Sequence, residues 1–139
     1  MSASPCLPLM IVDDDDDLRD ALADIMTAQG YEVAAFGDAR AALAALEGGV
    51  SPFLILLDLM MPGMSGWEFR AAQLENPTMA LIPVVVVTAA GNLSDGAGTL
   101  SSVEVLYKPF ALEILLPTVA RYAAAPRADP GPVSDGIRR

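Results

Sequence analysis

Apolar residues in this chain gather in short unbroken runs, and the segments between the runs carry apolar residues three and four positions apart. The clearest run is Phe53-Leu54-Ile55-Leu56-Leu57, which leads straight into Asp58 and then Leu59-Met60-Met61-Pro62-Gly63. A run this short and without alternation suits a strand buried on both faces, as in a parallel sheet. Pro62 and Gly63 force a turn behind it. Similar runs at residues 9–12 and 84–87, with looser ones at 31–36 and 103–107, make five predicted strands. On its own, Asp58 reads equally well as the cap of the helix that follows.

Between the runs the period changes to that of a helix. Leu18, Leu22, Ile25 and Met26 share one face after the acidic stretch 13–17, with Arg19, Asp20 and Asp24 on other faces, and Gly30 ends the segment. Asp15, Asp16 and Asp17 read as solvated or helix-capping, since negative charge favours a helix start. Asp38 is placed to cap an alanine-rich helix over 39–47, stopped by Gly48-Gly49. A third helix is expected from Ser65 to Leu74, with Trp67 and Phe69 as packing residues and Asn76-Pro77 closing it. The glycine-rich segment 91–102 predicts a short or irregular helix. A last helix is expected over 110–124, kinked or shortened by Pro117.

Strand and helix alternate five times, which argues an α/β fold with helices on both faces of a parallel sheet. Right-handed crossovers make 2-1-3-4-5 the natural strand order of a doubly wound, flavodoxin-like sheet. One domain is expected over residues 7–124. Residues 125–139, rich in Pro, Gly, Asp and Arg, are expected to be a disordered tail.

Composition narrows the function. Of 139 residues, 53% are hydrophobic and 19% charged, as in a globular chain. Eighteen acidic against eight basic residues give a formal charge of −10, which disfavours direct binding to nucleic acid or anionic lipid. The chain has no histidine, so Ser-His-Asp chemistry, His-ligated metal and a phosphohistidine role are excluded. The one cysteine, Cys6, makes no internal disulfide and has no histidine to activate it. With no signal-like leader and no membrane-length apolar stretch, a cytoplasmic protein without membrane insertion is the expectation.

Four strands end in a residue with chemistry: Asp13 and Asp14 after the first, Asp58 after the third, Thr88 after the fourth and Lys108 after the fifth. A parallel sheet brings these ends to one edge, where ligands bind in open α/β folds. Three crowded carboxylates repel each other, and a divalent cation removes the conflict. Oxygen donors select a hard ion such as Mg²⁺ over zinc. A carboxylate flanked by a metal, an ammonium and a hydroxyl is equipped to receive a phosphoryl group.

Ile11-Val12-Asp13-Asp14, Leu57-Asp58-Leu59-Met60-Met61-Pro62-Gly63-Met64-Ser65-Gly66, Val87-Thr88-Ala89 and Lys108-Pro109-Phe110 together resemble the signatures of response-regulator receiver domains, in a stand-alone form like the chemotaxis regulators. The resemblance covers residues 8–124. It implies that Asp58 is the phosphoacceptor, that Asp14 binds Mg²⁺ directly and Asp13 through water, and that the Met60 backbone carbonyl completes the protein ligands. It further implies that Thr88 and Lys108 contact the phosphoryl group and that Lys108-Pro109 is a cis peptide. The implied donor is a histidine kinase or histidine phosphotransfer protein, with output through a downstream protein. Such a module is not an enzyme beyond accepting and losing its own phosphoryl group.

The chain departs from the pattern in two places. Val105 stands where the family has a switching aromatic, and the next aromatic, Tyr107, is expected on the other face of the strand. The segment 91–102 differs from the usual fourth helix, which suggests output through a change of order there. A receiver-fold scaffold that is not phosphorylated is the alternative. A haloacid-dehalogenase-like phosphatase, which wants a second aspartate where Met60 stands, and a nucleotide switch, which wants a Gly-rich phosphate loop, are disfavoured.

Overall fold

Five strands, four of them almost purely apolar, make a sheet that can be satisfied only by cover on both sides. The structure, a computed structural model, describes residues 7–89, 104–108 and 111–124. Its elements are β1 (Leu9–Val12), α1 (Asp16–Ala28), β2 (Val33–Phe36), α2 (Ala39–Glu47), β3 (Leu54–Leu57), α3 (Gly66–Leu74), α4 (Pro77–Ala80), β4 (Val84–Thr88), β5 (Glu104–Tyr107) and α5 (Leu112–Ala124). The sheet is parallel throughout, in the order β2-β1-β3-β4-β5. The expected topology is therefore the one found.

Alternation along each strand sorts the core into two layers. Met10, Val12, Ile55, Leu57, Val84 and Val86 join α2 and α3 residues such as Leu46 and Phe69 on one face. Leu9, Ile11, Leu54, Leu56, Val85 and Val87 join Leu22 and Met26 of α1 with Leu115 and Val119 of α5 on the other. Each such fully buried side chain contributes about 1.5–3 kcal/mol of transfer free energy. Trp67 packs at the margin of the first layer, as a packing residue should.

The helix starts are set by side-chain caps. Asp15 accepts from the Leu18 N–H and Asp38 from the Ala41 N–H, each satisfying one donor that the helix leaves over. At α3, Ser65 and Glu68 form a reciprocal capping box.

Two expectations need correction, those for Asn76-Pro77 and for Tyr107. Asn76-Pro77 does not simply close α3. Asn76 caps the further short helix α4, with Pro77 at its first position, where a missing N–H costs nothing. Four residues are too few to show a helical period, so α4 leaves no trace in the hydrophobic pattern. Pro117 lies in the second turn of α5, and the helix runs on through it to Ala124, its lost N–H notwithstanding. Tyr107 is not opposite Val105. Val105 packs on the first layer and Leu106 on the second, so the two-residue period returns Tyr107 to the Val105 side, where it is 52% exposed.

Cys6, the segment 91–102, the Lys108-Pro109 peptide bond and the stretch 125–139 lie outside the described residues.

Gly66 is a point of close approach between α3 and the loop that follows β3. A Cβ built there would sit 2.5 Å from the Asp58 carbonyl oxygen and 2.6 Å from the Leu59 Cα, while the Gly66 N–H donates to the Leu59 carbonyl. Both obstacles are backbone and cannot step aside. Gly66→Ala should therefore destabilise the protein by about 1–3 kcal/mol, the usual range for overpacking. A lower urea midpoint at unchanged slope is the expected result; an unchanged midpoint would show that the loop yields freely.

Candidate functional site: an acidic pocket at the strand ends

Strand register decides where the carboxylates go. Val12 pairs with Leu57 across β1 and β3, and the Asp58 N–H donates to the Val12 carbonyl at 2.9 Å. The residues after these strands, Asp13 and Asp58, are thereby neighbours at one edge. On the far side, the Lys108 N–H donates to the Thr88 carbonyl at 2.8 Å, continuing the β4–β5 ladder by one step. The ladder thus carries Lys108 back toward the carboxylates from the fifth strand.

The side chains meet. Lys108 Nζ lies 3.0 Å from Asp13 Oδ2 and 3.7 Å from Asp58 Oδ2. Asp13 and Asp58 are buried, and Asp14 is exposed at the rim. Carboxylate oxygens of Asp13, Asp14 and Asp58 all lie within 4.8 Å of one another. Of the residues singled out from sequence, Asp13, Asp14, Asp58 and Lys108 form one cluster. Thr88 ends β4 fully buried, on the sheet face of Val84 and Val86 by strand alternation. Met60 approaches through its backbone, its N–H donating to Asp58 Oδ1 at 3.3 Å, while its side chain is exposed.

The electrostatics follow from this crowding. Burial, followed by the charge of Asp13, pushes the Asp58 carboxyl up from 3.8 to about 6; Asp14 adds a little, while Lys108 and the Met60 N–H oppose the shift. Burial works against the Lys108 ammonium. The hydrogen bond to Asp13 and the charges of Asp58, Asp13 and Asp15 outweigh it, so Lys108 is held above its ordinary value. The pocket thus holds one cation among three carboxylates and remains short of positive charge.

That imbalance and the donor chemistry fit a divalent cation. Hard oxygen donors, two of them buried and one facing solvent, suit Mg²⁺, which keeps several waters and takes few protein ligands.

Asp13 is held more firmly than sequence reasoning foresaw. Its Oδ1 accepts from the Asp15 N–H at 2.9 Å, and its backbone carbonyl accepts from Arg19 Nη1 at 2.8 Å. Arg19 is not on an outward face. Its guanidinium is mostly covered and reaches back over the start of α1. The one signal available was composition: Arg19 is the single basic residue in the acidic stretch 13–24.

Comparison with known proteins agrees with this fold. A family model described as the response regulator receiver domain matches residues 9–120. The sensory transduction protein RegX3 of Mycobacterium tuberculosis is 30% identical over 131 residues, 93% of this chain and 56% of that protein. The response regulator protein FleR of Pseudomonas aeruginosa is 33% identical over 130 residues, 92% of this chain and 26% of that protein. The chain therefore spans about half the length of the first and about a quarter of the second. Among solved structures, the chemotaxis protein CheY4 of Vibrio cholerae matches with a TM-score of 0.75 and 28% identity, over 85% of this chain and 99% of that one. A CheY-like receiver domain from Methanospirillum hungatei matches with a TM-score of 0.75 and 31% identity, over 84% of this chain and 93% of that one. Among the described residues, no helix is long and apolar enough to cross a membrane.

Proposed function

Because this chain belongs to the response-regulator receiver-domain family, a signalling module of two-component systems, we propose that Asp58 accepts a phosphoryl group from a histidine kinase or a histidine phosphotransfer protein, and that a downstream protein reads the result. The observation that carries the reading is the meeting of Asp58 with Asp13, Asp14 and Lys108, delivered from three different strand ends.

The chemistry follows from the groups present. With its carboxyl at about 6, Asp58 is mostly ionised at neutral pH and can act as nucleophile. An Asp58 oxygen forms the new bond to phosphorus while the phosphorus–nitrogen bond of the donor imidazole breaks. The electron pair leaves with that nitrogen, which is then protonated from solvent. Lys108, 3.7 Å from Asp58 Oδ2, is placed to pair with an oxygen of the incoming group. Thr88, at the end of β4, is assigned the hydroxyl contact. Asp13, Asp14, Asp58 and the Met60 carbonyl would hold Mg²⁺, whose bound charge offsets that of the phosphoryl oxygens. Asp14 would bind the ion directly and Asp13 would act through water.

The test is incubation with Mg²⁺ and a small phosphodonor, read by intact mass. One phosphoryl group is expected on the wild-type protein and none on Asp58→Asn. Labelling that persists in Asp58→Asn would move the acceptor elsewhere. A wild type that stays unlabelled, with its kinase as well as with small donors, would favour a scaffold that is not phosphorylated. Val105, in place of the family's switching aromatic, is the residue that keeps the scaffold reading in view.

A further inference from the structure

Arg19 closes a ring of interactions around the Asp13–Asp14 peptide. From α1, Arg19 Nη1 donates to the Asp13 carbonyl at 2.8 Å. The Arg19 N–H donates to the Asp15 carbonyl, and the Asp15 side chain caps the helix at Leu18. The Asp15 N–H returns to Asp13 Oδ1 at 2.9 Å. A second fork nitrogen, Nη2, pairs with Asp16 at 2.5 Å. The guanidinium also lies against the turn after β2: a Cβ on Gly37 would meet Arg19 Nη1 at 2.9 Å. The Arg19 side chain is only 17% exposed, against 79% for its partner Asp16. So the contact that matters is to the Asp13 carbonyl, since exposed pairs are worth little.

The Asp13 carbonyl belongs to the peptide plane that joins Asp13 to Asp14. That plane is rigid, so holding its oxygen restrains the positions of both Cα atoms, the points from which the two carboxylates project. Resting on the Mg²⁺ pocket proposed above, we infer that Arg19 is a positioning residue for the metal ligands Asp13 and Asp14. It works by clamping their shared peptide from behind. Partners one step removed from the ligands commonly govern metal affinity tenfold or more.

Charge and position make opposite predictions here, which renders the inference testable. As a mere positive charge near three carboxylates, Arg19 would repel Mg²⁺, and its removal would tighten binding. As a clamp, its loss loosens binding. Titration calorimetry with MgCl₂ at fixed ionic strength reads the difference directly, with a urea unfolding curve confirming that each variant is folded. Arg19→Lys keeps the charge but loses the two-pronged fork, and Arg19→Met loses both. Each is expected to weaken Mg²⁺ binding by about tenfold. Gly37→Ala, whose new methyl pushes the guanidinium aside without altering any charge, is expected to weaken binding in the same direction. Gly37 is outside the set of positive-φ glycines, so alanine fits its backbone. Arg19→Lys binding Mg²⁺ as tightly as wild type, with Arg19→Met binding more tightly, would overturn the inference and leave the reading of Asp58 standing. A wild type that binds no Mg²⁺ would overturn both.

Discussion

Lys108→Ala should destabilise the metal-free protein by about 3–5 kcal/mol, the cost of leaving buried charge without its partner. Lys108 Nζ stands 3.0 Å from one buried carboxylate and 3.7 Å from another. Removing it leaves Asp13 and Asp58 facing each other with no cation between them. The loss should appear as a lower urea midpoint in EDTA. Added Mg²⁺ should then stabilise the variant more than it stabilises the wild type, because the ion replaces the missing charge and binds the folded state alone. Equal midpoints for wild type and Lys108→Ala in EDTA would mean that the lysine contributes nothing to the resting pocket. Equal Mg²⁺ responses would mean that ion and ammonium serve separate ends.

Asp58→Asn should do the reverse, making the metal-free protein more stable at pH 7. The Asp58 carboxyl is raised by burial and by Asp13 from 3.8 to about 6. Between those values the folded state binds more protons than the unfolded state, so stability falls as pH rises. The stabilising contribution of the protonated carboxyl is complete below 3.8 and is lost as pH climbs through 6. The gap corresponds to about 3 kcal/mol. Asparagine has the shape of the protonated acid and no such titration, so Asp58→Asn should keep up to about 3 kcal/mol at neutral pH that wild type has lost. Urea unfolding at several pH values in EDTA checks this. The wild-type and variant curves should converge near pH 4 and part by pH 7. Parallel curves would show that Asp58 ionises in the folded state as freely as in the unfolded one. The site in this view is held at a cost to stability, as sites built for function often are.

How much of this was legible beforehand depends on the length scale of each signal. The run from Phe53 to Leu57 and its continuation into Asp58 announce a buried strand and the residue at its end, because burial on both faces leaves no polar position inside. The caps Asp38 and Ser65 act within three residues and are readable as local chemistry. Asp13, Asp14, Asp58 and Lys108 could be gathered into one pocket because parallel strands must end together. Helix α4 escaped, since its four residues have a cap and a proline but no period. Arg19 escaped for a different reason. Its face on α1 is polar, and only the turn over the helix start brings the guanidinium to the Asp13 carbonyl. Tyr107 differs from its expected place for the simplest reason: residues 105 and 107 share a face of β5, as the packing of Val105 on one layer and Leu106 on the other makes plain.

Gln73 adds a buried feature that no pattern in the chain suggests. Its amide nitrogen donates to the Met79 and Ile82 carbonyls, and its oxygen accepts from Arg70. This polar knot ties α3 to the entry of β4, and so indirectly to the strand that ends at Thr88.

The contact between Lys108 and Asp13 spans 95 positions of sequence, and it exists only after β1 has been enclosed by later strands. During synthesis on the ribosome, a chain released as far as β3 has its carboxylates but not the ammonium that reaches them from β5. The charge balance of the pocket is thus a property of the finished sheet alone: until β5 docks beside β4, the buried carboxylates face each other without their ammonium.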